Sequence, residues 1–360
     1  FNLFGNLLSK MIGIPKCLLR TDKCNGVRPL AFLASKSMAM LLYIVCLYIN
    51  DLPDVTNMLT ILFADDTNCI VSGNNLKILE KQVNDELIKI KDFMMANKLS
   101  LNTSKTTFTI ISPPNKTPKD KITLKIGKEV IKETDEFSFL GIIIDKNLKF
   151  KSHFNKVLAK VKNGVNALSS IKKTLNYRSK IMIYHSLIHS HLNYCSLSWL
   201  PKLNTKQLDT LITLQKRAIR AIFNSKYNSH TNILFQYSHI TKVEDICEAE
   251  SLKMMYQYKE GLLPFGVSQT IKKFTEASTF LTRSKATPKI TIRGLRKDDI
   301  LYEMITYWNK CNLEIKDQTY KMPSVKQRIK GYLERDTILI ATDRNASAAS
   351  GQMKQHCLNI

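Results

Sequence analysis

Apolar and polar positions follow two rhythms along this chain, and the change between them falls near residue 145. Before it, short periods prevail. The apolar runs Ile61-Leu62-Phe63 and Cys69-Ile70-Val71 flank Asp65-Asp66, which predicts a β-hairpin with both aspartates at its tip. Leu76, Leu79, Val83, Leu87, Ile90 and Met94 recur at helical spacing. They predict a helix over 76–95, with Asn74 or Asn75 as its cap and Asn97 as its stop. Residues 106–111 read as a strand rich in β-formers, 122–131 as a hairpin turning at Gly127-Lys128, and 137–144 as one further strand. Hairpin, helix, strand, hairpin, strand describes a small α+β layer with the Asp pair at one edge.

After Asp145 the period becomes helical. Phe150, Phe154, Val157, Leu158, Val161, Val165, Leu168 and Ile171 make one apolar face, with Lys151, Lys156, Lys160, Lys162, Lys172 and Lys173 spread around it. A second helix over 205–223 buries Leu208, Leu211, Leu214, Ala218 and Ile222 and offers Lys216, Arg217 and Arg220. Helix is expected again over 243–258, 301–309 and 325–333, with a looser stretch over 261–296 and a disordered tail. No internal repeat is present.

At 360 residues the chain has room for two or three domains with ordinary cores. Charge is the outlier: 54 Lys and Arg against 30 Asp and Glu give a formal net of +24. Such a field favours a polyanion, nucleic acid first and an anionic membrane second, and no amphipathic anchor supports the membrane. The best apolar run, Met38 to Ile49, falls short of the roughly 20 residues a span needs. Eight cysteines without a CxxC pair suit reduced thiols in an intracellular protein. His185 and His189 have a spacing that zinc accepts, yet no Glu or Cys completes a set beside them or His191, so packing roles are expected. The sequons at Asn102, Asn115 and Asn345 carry no weight without a secretory signal. The chain begins at Phe1 without Met or a leader, and a fragment is expected.

The chemistry concentrates on Asp65 and Asp66. Adjacent carboxylates repel unless one is protonated or a cation neutralises them. No Lys or Arg occurs between Met58 and Gly73, so Mg²⁺ is the natural partner. A plain hairpin turn is the alternative, though neither Asp is followed by the usual Gly. The basic helices carry a similar choice between solvated faces and phosphate contacts; repetition of one sign on successive helices favours phosphate.

These residues resemble a known family. Phe63-Ala64-Asp65-Asp66 is similar to the Tyr/Phe-x-Asp-Asp box of reverse transcriptases. The order around it resembles the non-LTR (LINE-type, jockey-like) retrotransposon branch: Leu47 to Pro53 its YINDLP run, Leu99 to Thr106 its LxLNxxKT motif, and Phe139 to Asp145 its FLGxxxD primer-grip strand. Tyr194 to Trp199 and Leu214 to Arg220 look like its thumb and post-thumb helices, and Arg283 with Tyr307-Trp308-Asn309 fits its C-terminal region. The likeness covers most of 1–335 and rests on order and spacing together.

The resemblance implies a partial polymerase palm, an antiparallel sheet with helices, followed by an all-helical thumb and C-terminal region. The implied organisation is a degenerate palm and fingers remnant over 1–54, palm with the Asp hairpin over 55–148, thumb over 149–225, a helical region over 226–335 and a tail over 336–360. The implied reaction is RNA-directed addition of dNMP from a dNTP to a DNA primer on an RNA template, promoted by Mg²⁺ or Mn²⁺. Asp65 and Asp66 would be metal ligands, and Lys105 would orient or protonate the leaving pyrophosphate. Phe139, Leu140 and Gly141 would hold the primer end; a core strand is the plain reading of the same residues. Lys151, Lys156, Lys160, Lys162, Lys216, Arg217 and Arg220 would track the nucleic-acid backbone. A nuclear location is expected from the family.

Two departures temper that expectation. The third carboxylate would lie a handful of residues before Phe1. The Pro-Gln-Gly-Ser core expected before the hairpin is missing, because Gly26-Val27 runs directly into Arg28-Pro29-Leu30. The expectation is therefore a truncated copy that does not polymerise alone, with a non-catalytic nucleic-acid-binding remnant as the alternative.

Overall fold

The computed structural model describes residues 47–63, 66–99, 101–112, 121–277, 290–292, 294–295, 299–311, 313–316 and 325–333. The chain mixes helices with small sheets and divides into two compact units after Leu148.

In the first unit, β1 (Leu59–Phe63) pairs antiparallel with β2 (Asp66–Ile70), and Phe63 stands opposite Asp66. Ala64 and Asp65 lie outside the described residues. Helix α1 spans Leu76–Ala96; the Asn75 side chain accepts from the backbone N–H of Lys77 and Ile78, and Asn97 ends it. Its buried stripe serves two small cores. Ile90 and Met94 meet Leu52, Met58 and Leu99, with Leu62 and Cys69 of the hairpin packed on top. Leu87 meets Leu124, Ile126 and Ile131, and the short hairpin that carries Ile126 turns through Gly127 at φ +65°.

The run 137–144 is not one strand. It folds back on itself as β3 (Glu136–Phe139) and β4 (Ile142–Asp145) around Leu140 and Gly141, at φ 47° and 87°. A two-residue hairpin turn of the I′ kind has positive φ at both centres, which Gly141 adopts freely and Leu140 only with strain. The strand expected over 106–111 shrinks to Thr107–Phe108, paired in parallel with Lys132–Glu133. Among the described residues the strands form separate two-stranded sheets instead of one layer.

The second unit is built on α2 (Lys151–Ser170), α3 (Tyr177–Tyr184), α4 (Thr205–Ile222), α5 (Asn232–Ser238) and α6 (Val243–Lys259). Helix α3 runs on through a π-helical turn, His185–His189, into Ser190–Asn193. Helix α2 buries Phe154, Val157, Val161, Val165 and Leu168 along the predicted stripe. A Cβ at its Gly164 would stand 2.7 Å from the Leu187 carbonyl oxygen, so glycine permits the close approach of α2 to the π turn. Asn204 and Gln207 form a reciprocal capping box at the start of α4. Buried Gln215 donates from Nε2 to the Tyr184 hydroxyl (2.8 Å) and the Thr241 carbonyl (2.9 Å), and its Oε1 accepts from Val243 N (3.0 Å). One amide thus ties α3, α4 and the first turn of α6 together.

The C-terminal part corrects two expectations. The stretch over 261–296 contains α7 (Phe265–Phe274), and the region is not all-helical, since Thr275–Ala277 pairs with Ile290–Ile292. β-Branched Ile290-Thr291-Ile292 suits a strand, and Asn309 on α8 (Ile300–Lys310) clamps it. Asn309 Oδ1 accepts from Ile290 N and its Nδ2 donates to Ile290 O, both at 2.9 Å. Trp308 of the same motif is buried in a core with Leu252, Met255, Met304 and Ile329, the last on a helix over 325–333. Arg283, the 1–46 segment and the tail lie outside the described residues. Among the described residues no helix is long and apolar enough to cross a membrane.

Candidate nucleic-acid interface and carboxylate hairpin

The hairpin is positioned from its root. Glu86 on α1 is buried, and its carboxylate accepts from Thr56 Oγ1 (2.8 Å), Asn57 N (2.9 Å), Asn57 Nδ2 (3.2 Å) and Lys89 Nζ (2.7 Å). The Lys89 ammonium, with help from Asn57 and Thr56, outweighs burial and holds this carboxyl down to about 2. Because Thr56 and Asn57 lead directly into β1, Glu86 fixes where the hairpin leaves the core. Inward Leu62 and Cys69 anchor one face, while Leu59, Phe63 and Ile70 stay exposed on the other.

Asp66 therefore opens β2 instead of sitting in the turn, and it is half-buried. Asp65 lies outside the described residues. Among the described residues no ion pair reaches Asp66, and no cluster of three or more His, Cys, Asp or Glu could hold a metal ion. Two-ion chemistry needs several converging carboxylates. Asp66 is the only member of the hairpin pair among the described residues, so the described donors alone do not make a Mg²⁺ or Mn²⁺ centre.

The motif around Lys105 has a structural account. Leu99 is buried in the hairpin core, and Leu101 packs against both small cores. Asn102 organises the turn: its Oδ1 accepts from Ser104 Oγ (2.7 Å) and Lys105 N (3.3 Å), and its carbonyl from buried Thr106 Oγ1 (2.9 Å). That leaves the Lys105 side chain exposed. Phe139 and Leu140 are half-buried, and Gly141 is exposed at the tip of the β3–β4 hairpin.

The basic residues belong to the second unit. Lys151, Lys160 and Lys162 on α2 are exposed and Lys156 is half-buried; Lys216 and Arg217 on α4 are exposed. Helices α2 and α4 pack against each other. Arg220 is engaged within the fold: its Nε donates to the Ser229 carbonyl (3.0 Å), and its guanidinium lies 5.8 Å from the centre of the Tyr227 ring. The charge is one-sided to an unusual degree. From Lys149 to Val243, Asp209 is the only acidic residue against sixteen Lys and Arg. An exposed lysine paired with a carboxylate is an ordinary surface; these have almost no carboxylates within their own segment to pair with.

The histidines of the π turn are packing groups. The His185 and His189 rings meet edge-to-face at 5.2 Å, and His189 stacks on buried Tyr184 at 6.2 Å. Burial first, then His185, Lys253 and Lys330, pushes His189 down to about 4, with Glu250 opposing. Sequence reasoning missed Glu86, Gln215 and a ring cluster of Tyr177, Phe223 and Tyr237. Apart from Lys89 beside Glu86, the partners of each lie 14 or more residues away, so no local pattern announces them. Comparison with protein-family models, with curated proteins and with solved structures finds no match to this chain.

Proposed function

We propose that this chain is a nucleic-acid-binding segment of a reverse-transcriptase-like protein of the non-LTR retrotransposon type, gripping a template–primer through its second unit. The observation that carries the reading is the near-absence of acid over 149–243, combined with exposed Lys151, Lys160, Lys162, Lys216 and Arg217 on two helices that pack together. Such a surface neutralises phosphates irrespective of sequence, and released counterions make the binding steeply salt-dependent. The reverse-transcriptase resemblance supplies the identity of the polyanion, an RNA template paired with a DNA primer.

On the same reading Asp65 and Asp66 derive from a metal-binding hairpin, and the Phe139-Leu140-Gly141 tip from a primer-holding loop. A metal bound there would supply Lewis-acid activation of the primer hydroxyl. The Pro-Gln-Gly-Ser core that the resemblance expects before the hairpin is missing from the sequence, so binding and not nucleotide addition is the activity proposed for this chain.

Fluorescence anisotropy with a labelled RNA–DNA template–primer tests the reading. Affinity should fall steeply with salt. Lys160→Glu with Lys162→Glu should weaken binding and lower the salt slope by about 1 for each phosphate that is no longer neutralised. Binding that ignores salt, or that is unchanged in the charge-reversed variant, overturns it. Primer extension with Mg²⁺ or Mn²⁺ is run in parallel; extension that Asp65→Asn abolishes would show a complete centre and overturn the restriction to binding.

A further inference from the structure

Tyr177 at the start of α3, Phe223 at the end of α4 and Tyr237 on α5 share one ring cluster. Their centres lie 5.3 Å (Tyr177–Phe223), 5.8 Å (Phe223–Tyr237) and 6.5 Å (Tyr177–Tyr237) apart. Ring clusters of this kind normally complete a core, yet Tyr237 is 60% exposed. Tyr227, on the loop between α4 and α5, is 88% exposed, and Arg220 holds its guanidinium by that ring. The support beneath is firm. Lys180, 2% exposed, donates to the Ile222 carbonyl (3.2 Å) and to Asn224 Oδ1 (3.1 Å), closing the C-terminal end of α4.

Two features separate this surface from a stray apolar patch. Exposed Arg178 and Lys226 each adjoin one of the tyrosines in sequence, and no acid occurs from residue 210 to 243. Exposed rings flanked in sequence by exposed cations match a ligand that carries π faces and phosphates together. Bases within a duplex are covered by their neighbours, whereas unpaired bases offer a face to stack upon. We propose that the exposed rings of Tyr227 and Tyr237 form a stacking platform for single-stranded nucleic acid, resting on the nucleic-acid reading above but separate from the α2 and α4 lysines. It would hold the unpaired part of a template while those lysines hold backbone.

The test uses the full chain and three labelled probes, oligo(dT), oligo(U) and an RNA–DNA duplex of equal length. Tyr227→Ala with Tyr237→Ala should weaken both single-stranded probes by about tenfold or more, from the usual contribution of base–aromatic stacking. Duplex affinity and the salt slope should stay unchanged. Tyr227→Phe with Tyr237→Phe, which keeps the rings, should retain binding. The single variant Tyr227→Ala guards against a folding defect, since that side chain is almost wholly in solvent. Loss on one single-stranded probe alone shows which of the two strands the platform prefers and supports it. Unchanged single-strand binding in the tyrosine variants, or equal loss on duplex and single strands, overturns the platform while leaving the nucleic-acid reading intact. A native chain that binds none of the three probes overturns that reading, and the platform with it.

Discussion

Replacing Glu86 by alanine should loosen the root of the carboxylate hairpin while leaving the second unit untouched. The carboxylate accepts four hydrogen bonds, but they are not equal. Lys89 is 46% exposed on its side chain and rehydrates when released, so its share is a surface pair worth about 0.5 kcal/mol. Asn57 is exposed and recovers water for its side chain, so its two bonds return about 1 kcal/mol together. Thr56 is 7% exposed, and its hydroxyl loses a charged acceptor inside the core at a cost of about 1.5 kcal/mol. The total is about 3 kcal/mol. Glu86→Gln keeps the shape and one acceptor, and should cost about half as much.

The pH dependence follows from the sign of the shift. The folded carboxyl titrates at about 2, below the usual value of 4.5. Its contribution is therefore complete above the unfolded value and fades as the pH falls toward 2. The gap between the native chain and Glu86→Gln should narrow from pH 7 to pH 3. Both tryptophans, Trp199 and Trp308, belong to the second unit. Urea unfolding followed by far-ultraviolet circular dichroism should thus show the loss, while tryptophan fluorescence should not. A circular dichroism transition within about 0.5 kcal/mol of native, or an equal shift in both signals, would refute the reasoning.

Two further outcomes concern the second unit. Gly164→Ala gains up to about 1 kcal/mol of helix propensity but drives a methyl against the Leu187 carbonyl, so a net loss of about 1–2 kcal/mol is expected in the tryptophan-monitored transition; a stabilised variant would show that the close packing of α2 on the π turn is wrong. His189 resists protonation down to about 4, so the unfolded chain takes up a proton that the fold refuses as the pH drops below the ordinary value of 6.5. Stability should fall between those two values by on the order of 3 kcal/mol from this group. Burial also lowers His153, His185 and His191, so His189→Leu should flatten the acid limb in part; an unaltered limb in the variant speaks against the assignment.

Much of the framework was legible because it repeats locally. The stripes of α1, α2 and α4 and the caps at Asn75 and Asn97 follow from spacing and side-chain chemistry that involve neighbours only. The failures share a physical cause. The run 137–144 looks like one strand because six of its eight residues are apolar, and nothing local says that Leu140 will accept a left-handed backbone. The strand at 290–292 depends on Asn309 of α8, nineteen residues away. Asp66 was expected in a turn, but pairing with Phe63 draws it into β2. The candidate site divides the same way: exposed lysines are visible from helical phase, whereas the Tyr177–Phe223–Tyr237 cluster exists only once α3, α4 and α5 have packed.

The two units place different demands on a bound nucleic acid, and this bears on how the chain works. The hairpin unit holds the deeply buried carboxylate of Glu86 with a matched lysine and three further donors, so its electrostatics are settled internally. The second unit does the reverse. It commits Gln215, a neutral amide, to its central junction and leaves its cations almost without acids from Lys149 to Val243. Self-repulsion of that kind weakens a fold unless a polyanion relieves it. A template–primer or a single strand would then stabilise the second unit by mass action, raising its tryptophan-monitored unfolding midpoint with ligand concentration. The hairpin unit, which over 47–148 carries thirteen Lys against fourteen Asp and Glu, should gain little from the same ligand. Unequal stabilisation of the two transitions in one titration is the physical signature of binding through the basic helices.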